Sequence, residues 1–174
     1  MKFFQGLAVA GVVALAGGFA GSVANAASIA VGKKLELKVD AKKMDEERTR
    51  LWTKFGGWCA LKDWHPAVAN CEESTEGDAK IRVLTLKDGG KIKEKLLDEK
   101  PNFYRYEILE SPLPVKNYQA QFALTPDDDD EDEINFAWSA TFDANGKTNK
   151  EAHDVIDGIF TAGLDNIKAT AGAK

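Results

Sequence analysis

Runs of alternating apolar and polar residues cover much of the chain and predict β-strands. In residues 29–39, Leu35, Leu37 and Val39 alternate with charged residues, a period of two that is typical of a strand with one buried face. Similar runs follow at 68–74, 80–86, 92–97, 103–109, 118–125 and 134–142. The connectors between them are short and rich in turn residues, which favours antiparallel neighbours. The pattern therefore predicts an antiparallel sheet of about seven strands.

Three other segments are predicted to be helical. Residues 40–55 begin with a capping Asp40 and end before a Gly-Gly pair, and one or two helical turns are expected before Pro66. A long helix is predicted over 150–171, with an apolar stripe formed by Val155, Ile156, Ile159, Phe160, Leu164 and Ile167. This order of elements predicts an α+β fold, in which two short helices follow the first strand and the C-terminal helix covers one face of a curved sheet.

Two glycines lie inside the predicted C-terminal helix. Gly158 and Gly163 each cost about 1 kcal/mol of helix stability relative to alanine, so both positions need a reason. One interpretation is close packing of the helix on the sheet. The other is that the glycines leave room for a ligand between helix and sheet.

The N-terminus has the features of a secretory signal peptide. Lys2 precedes an apolar run at 7–19, and Ala24 and Ala26 place small residues at the positions that signal peptidase requires. The run is too short for a membrane span, although a retained anchor is the alternative. Cleavage after Ala26 is predicted to leave residues 27–174 as a single domain. Because the leader looks bacterial, the expected compartment is the periplasm, with no membrane attachment after cleavage.

Charge is concentrated in one place. The chain has a formal net charge of −5, while residues 127–133 (DDDDEDE), here called the acidic run, carry seven carboxylates. No basic stripe is present, so nucleic acid is not expected as a partner. The acidic run lies between two predicted strands and is interpreted as a solvated hairpin tip, with a docking patch for a basic partner as the alternative. It is too uniform for a calcium loop.

The segment 55–71 (FGGWCALKDWHPAVANC) holds both cysteines and one of the two histidines. Cys59, His65 and Cys71 lack the close cysteine spacing of a zinc site, so no metal is predicted. His65 has two further interpretations. It is a general base oriented by Asp63 or Glu94, or it is a helix-end residue that hydrogen-bonds the backbone at a cavity mouth.

The two cysteines are predicted to form a disulfide. An exported compartment is oxidising and the cysteine count is even, which favours pairing over two free thiols. A bond that closes this short loop would stabilise the fold by about 3 kcal/mol in the chain-entropy model.

Glu94 is the charged residue that the strand pattern places most unexpectedly. It shares a strand face with Ile92 and Leu96, so it is predicted to point inward and to need a partner such as Arg82 or Arg105. The alternative is a shift of register that leaves the carboxylate in water.

Several motifs together resemble a known superfamily. The segments LWTKFGGW, DWHPAV, RVLTLKDGG, YRYEILESPLPVKNY and GIFTAGLDNIK are similar to those of the SRPBCC superfamily, in its polyketide cyclase/dehydrase-like branch. The resemblance covers about residues 31–170. It implies the Bet v 1-type helix-grip fold, in which the sheet wraps around the C-terminal helix and encloses a deep cavity.

This resemblance implies three possible functions. The favoured one is a binding protein that holds a small, mostly apolar molecule, without a cofactor and without catalysis. The second is an accessory protein that assists a periplasmic dehydrogenase and its cytochrome, and the third is a cyclase- or dehydratase-type enzyme that uses His65 and Glu94. The predicted ligand-binding residues are Trp58, Trp64, His65, Arg82, Glu94, Tyr104, Tyr106, Tyr118, Trp138 and Phe160. Segment 58–71 is predicted to form a disulfide-bonded gate at the cavity mouth.

Overall fold

The computed structural model describes residues 28–172, which share one hydrophobic core. The predicted signal peptide lies outside the described residues. The strands are β1 (Ile29–Lys38), β2 (Val68–Glu76), β3 (Ala79–Leu86), β4 (Lys91–Lys100), β5 (Phe103–Glu110), β6 (Val115–Pro126) and β7 (Glu133–Ala144). The helices are α1 (Met44–Phe55), α2 (Leu61–Trp64) and α3 (Asn149–Thr170), and a single 3-10 turn at Ala41–Lys43 precedes α1. The predicted α+β fold class is confirmed.

All seven strands form one antiparallel sheet in the order β1-β7-β6-β5-β4-β3-β2. Consecutive strands from β2 to β7 are neighbours, as their short connectors predict. β1 pairs with β7 over its whole length, from Ile29 opposite Phe142 to Lys38 opposite Glu133. Buried residues alternate along the strands, as in Ile134, Phe136, Trp138, Ala140 and Phe142 of β7, so one face of the sheet forms the core.

Helix α3 covers that face. It begins with a capping box, in which Thr148 accepts from the Glu151 N–H and the Glu151 carboxylate accepts from the Thr148 N–H. Its buried residues include Ile156, Phe160 and Ile167, which belong to the predicted apolar stripe. Val155 was also placed in this stripe, and that prediction is wrong: its side chain is 39% exposed, because it lies on the solvent side of the helix.

Helix α1 lies beside the C-terminal end of α3 and caps it. Arg50 Nη1 donates to the carbonyl of Ala171 at 2.8 Å, and Lys54 Nζ donates to that of Thr170 at 2.5 Å. Both cations therefore bond carbonyls that have no partner within the helix, at its negative dipole end.

The cysteines form the predicted disulfide. Cys59, just before α2, is bonded to Cys71 in β2, with their Cα atoms 5.6 Å apart. The bond fixes the segment between α1 and β2 to β2, which is an edge strand of the sheet. Between residues 28 and 172, no helix is long and apolar enough to cross a membrane.

Candidate functional site

A cavity of about 130 Å³ lies between the sheet and α3. Its walls come from β3, β4, β5 and α3, with single residues from α2, β2, β6 and β7 and contributions from the loops after α2 and before β6. Most of the lining is aliphatic and includes Leu84, Ile92, Ile108, Ile156 and Ile159. The helix-grip arrangement thus leaves a small apolar cavity between sheet and helix, smaller than the deep cavity that the resemblance implies.

The predicted ligand-binding residues divide into two groups. Six line the cavity: His65, Glu94, Tyr106, Tyr118, Trp138 and Phe160. The other four, Trp58, Trp64, Arg82 and Tyr104, are at most 4% exposed but lie outside the cavity wall. The tryptophans of the predicted gate are therefore core residues, and the gate segment contributes Leu61, His65, Ala67 and Val68 to the cavity instead.

The aliphatic lining was not among the predicted ligand-binding residues, although the sequence contains a signal for it. Leu84 lies opposite Ile92, and Arg82 lies opposite Glu94, in the β3–β4 pairing. Residues two apart on a strand share a face. Extending the inward face from Glu94 to Ile92 and across to Leu84 would have identified this wall.

Arg82 and Glu94 form a buried ion pair, with Glu94 on the cavity wall and Arg82 behind it. Arg82 Nε donates to Glu94 Oε2 at 2.5 Å, and the two side chains are 0% and 5% exposed. The guanidinium also donates through Nη1 to the carbonyl of Trp58, and its central carbon lies 3.8 Å from the centre of the Trp58 ring. The prediction that Glu94 points inward is confirmed. Its partner is Arg82, while Arg105 is exposed on the other face.

Burial disfavours both charges of the pair, and each charge stabilises the other. Burial raises the pKa of the Glu94 carboxyl, and the Arg82 charge opposes that rise. Burial also disfavours the charged guanidinium, but the Glu94 carboxylate outweighs this effect and the pKa of Arg82 lies above its ordinary value. Because Arg82 keeps its proton, an ionised Glu94 is the form that neutralises it.

His65 bonds the backbone through both ring nitrogens. The Ala67 N–H donates to Nδ1 at 3.2 Å, so the proton lies on Nε2, which donates to the carbonyl of Ile159 in α3 at 3.1 Å. Neither Asp63 nor Glu94 is its partner. Burial lowers the pKa of His65, against the opposing effect of the Ile159 bond. This arrangement matches the helix-end interpretation rather than that of an oriented base.

Two tyrosine hydroxyl groups belong to the cavity wall. Trp138 Nε1 donates to the Tyr106 hydroxyl at 3.0 Å, and the rings of Tyr106 and Tyr118 lie 6.2 Å apart. Burial raises the pKa of both tyrosines, so both are neutral hydroxyl groups at physiological pH. Tyr106 and Tyr118 both line the cavity.

The acidic run connects β6 and β7, as predicted for a hairpin tip, but part of it is neutralised. Lys34 Nζ lies 3.1 Å from Asp127, and Lys38 Nζ contacts Glu133 at 3.0 Å as well as two further carboxylates of the run. Glu36, Asp127 and Glu133 converge closely enough to hold a cation. Since two ammonium groups already contact these carboxylates, the arrangement is explained as an ion-pair network.

The fold and this cavity define a helix-grip protein whose sheet encloses a small binding space. The chain belongs to the polyketide cyclase / dehydrase and lipid transport family, whose model matches residues 47–172. The resemblance to the SRPBCC superfamily is thereby confirmed. No curated protein sequence matches the chain significantly.

Solved structures with the same fold support this assignment. Protein XoxI from Bacillus cereus is 25% identical, with a TM-score of 0.68 over 80% of this chain and 93% of its own. An uncharacterized protein from Bacillus thuringiensis is also 25% identical, with a TM-score of 0.69 over 82% of this chain and 98% of its own. The ZhuI aromatase/cyclase from Streptomyces sp. R1128 is 14% identical, with a TM-score of 0.62 over 83% and 94%, and shares the fold alone.

Proposed function

We propose that this protein is a periplasmic, non-catalytic binding protein that holds a small, mostly apolar molecule between the sheet and α3. The observation that carries the proposal is the cavity itself, enclosed by aliphatic and aromatic side chains with few polar groups on its wall. Binding sites for small molecules typically have this composition, with the polar groups fixing orientation. The disulfide supports an exported location, because such bonds persist in oxidising compartments.

The polar groups on the wall favour binding over catalysis. A general base needs a free lone pair within reach of the substrate proton. The lone pair of His65 accepts from the Ala67 N–H, so the ring has none left for a substrate. Glu94 is paired with Arg82, and the neutralising charge of the guanidinium makes the carboxylate a weaker base.

The test is a titration with a fluorescent apolar probe on wild type and on two tryptophan variants of α3. Ile156 lines the cavity, whereas its neighbour Val155 is exposed. Ile156→Trp is expected to fill the cavity and weaken probe binding at least about tenfold, while Val155→Trp leaves it unchanged. Equal binding by all three proteins would show that the probe binds elsewhere and would contradict the proposal.

An activity screen separates binding from the cyclase- or dehydratase-type alternative. His65→Ala is expected to preserve probe binding, because both ring nitrogens bond the backbone and not a ligand, and no turnover is expected in either protein. Turnover in the wild type that falls about a hundredfold in His65→Ala, with binding preserved, would instead establish the enzyme.

A second proposal is the MxaD-like accessory role, in which the protein assists a periplasmic methanol or alcohol dehydrogenase and its cytochrome. It is supported by the tip of the acidic run, where Asp128, Asp129 and Glu131 are exposed and have no ion-pair partner among residues 28–172. Three free carboxylates at a loop tip suit a basic partner.

Neutralising these three residues as amides should weaken a salt-sensitive association with a basic cytochrome. The matched control neutralises Glu46, Glu72 and Asp78, which are exposed elsewhere on the molecule. Association that is equally strong in both triple variants would rule out the tip as the docking site.

A further inference from the structure

The size of the cavity limits its ligand. Its volume is about 130 Å³. Apolar cavities of about 150 Å³ in proteins accept benzene, whereas sites for larger organic ligands usually measure about 300 Å³ or more. The space therefore suits a molecule with a single ring and few substituents.

The charges at the wall limit the ligand further. Glu94 is neutralised by Arg82, so the wall carries no net charge for an ionic ligand to neutralise. An anion would approach the Glu94 carboxylate, and a cation would be desolvated among aliphatic side chains without a free counter-charge. The ligand is consequently neutral.

Two polar groups remain available to a ligand. Arg82 occupies Oε2 of Glu94, and the carboxylate, which only accepts hydrogen bonds, lines the cavity. The indole of Trp138 donates to the Tyr106 oxygen. Tyr118 lies on the cavity wall, and its hydroxyl can donate its proton to a ligand there. One acceptor and one donor at the same wall match a hydroxyl group, which donates one hydrogen bond and accepts another.

Four aromatic side chains also belong to the cavity wall. Trp138 and Phe160 are stacked with their ring centroids 4.3 Å apart, and Tyr106 and Tyr118 are tilted against each other at 6.2 Å. All four line the cavity. Rings and ring edges of this kind favour a flat aromatic ligand over an aliphatic one of the same size.

We infer that the cavity selects a neutral single-ring aromatic alcohol of the phenol class, whose hydroxyl donates to Glu94 and accepts from Tyr118. This inference rests on the binding function proposed above and adds the chemical class of the ligand. His65 takes no part in recognition, because both of its nitrogens are bonded to the backbone.

The experiment is calorimetric titration of the wild type with phenol, toluene, cyclohexanol and benzoate. Toluene replaces the hydroxyl by a methyl group and leaves both polar groups unpaired, so it is expected to bind about tenfold more weakly than phenol. Cyclohexanol should also bind more weakly, and benzoate should not bind. Toluene binding as tightly as phenol, or benzoate binding more tightly than phenol, would overturn the inference.

Two variants test whether the hydroxyl of the ligand binds to Tyr118. Tyr118→Phe is expected to weaken phenol binding about fivefold, the effect of one hydrogen bond, and to leave toluene binding unchanged. Tyr104→Phe is the matched control, since Tyr104 is buried nearby but lies outside the cavity wall, and it should bind both compounds like the wild type. Unchanged phenol binding by Tyr118→Phe would show that Tyr118 does not bind the hydroxyl of the ligand, and it would overturn the assigned geometry.

The fluorescent apolar probe separates this inference from the function on which it rests. Probe binding that Ile156→Trp abolishes, together with no phenol binding, would retain the binding function and overturn the phenol class. Binding of neither the probe nor any single-ring compound would overturn both.

Discussion

Arg82 and Glu94 face each other directly across β3 and β4, with Arg82 Nε 2.5 Å from Glu94 Oε2 and both side chains buried. The pair sits between the cavity and a layer of aromatic rings, with the guanidinium over Trp58. A buried ion pair is costly to desolvate, and its main consequence is that neither partner can be removed alone. It therefore fixes the position of the one carboxylate on the cavity wall.

Removing one member of this pair should be more harmful than removing both. Arg82→Met is expected to lower the free energy of unfolding by about 3–5 kcal/mol, because it leaves an uncompensated buried carboxylate. The double variant Arg82→Met, Glu94→Leu should recover much of that loss. Urea denaturation measures both values. Lys95→Met at the partly exposed Lys95–Glu107 pair is the control and should cost less than about 1 kcal/mol.

A double variant that is as unstable as the sum of the two single variants would contradict this expectation. It would mean that the two side chains contribute independently, through packing, rather than through their mutual neutralisation.

Alanine substitutions of the two glycines in α3 should have opposite effects on the stability of the protein. A Cβ at Gly163 would lie 2.8 Å from His65 and 2.9 Å from Trp138, so Gly163→Ala forces aromatic side chains apart and should destabilise the protein. Gly158 has open space around its Cβ position, and Gly158→Ala should stabilise the protein by up to about 1 kcal/mol. Thermal and urea unfolding of the two variants provide the measurement. Stabilisation by Gly163→Ala would show that the helix can move away from the sheet at little cost.

His65 should make stability depend on pH in a defined direction. Burial lowers its pKa below the ordinary value of about 6.5, so the unfolded chain binds a proton more readily than the folded one. The contribution of the neutral ring is fully present above about pH 6.5, and it is lost progressively as the pH falls from there toward the folded pKa. Protonation would also place a proton on Nδ1, opposite the Ala67 N–H.

The measurement is the free energy of unfolding of wild type and His65→Gln between about pH 5.5 and pH 7.5. The wild type should lose more stability than the variant toward the acidic end. His153→Gln, at a partly exposed position of α3, is the comparison variant, and the slope should change more in His65→Gln than in His153→Gln. Identical slopes for wild type and His65→Gln would mean that the folded and unfolded chains bind protons at His65 equally well.

The disulfide should account for a measurable part of the stability. Cys59 and Cys71 are 12 residues apart, and closing a loop of this size corresponds to about 3 kcal/mol in the chain-entropy model. Thiol titration of the protein, unfolded without reductant, should detect no free thiol. The Cys59→Ser, Cys71→Ser variant should melt at a lower temperature, and wild type in reductant should melt like the variant. Two titratable thiols in unreduced protein would contradict the pairing.

The local pattern of apolar and polar residues was sufficient to predict the helices and strands of this protein. It also predicted whether several side chains point into the core or into solvent. The period of two along 134–142 predicts a half-buried strand because successive side chains point to opposite faces, and the same rule turns Glu94 inward. Two cysteines on either side of one short helical segment can reach each other with little change of the backbone. These conclusions depend only on neighbours along the chain.

Tertiary structure decided which of these side chains meet. The β3–β4 register, and not the identity of the residue, selects Arg82 over Arg105 as the partner of Glu94. The sequence separates Gly158 from Gly163 by about 140° around the helix, but only the docking of α3 determines which of them faces the sheet. His65 bonds Ile159, which lies 94 residues further along the chain, and Trp58 and Trp64 pack in the core instead of lining the cavity. Such contacts arise from packing between distant segments, because the free energy of burial depends on the final arrangement of all the surfaces and not on any one stretch of sequence.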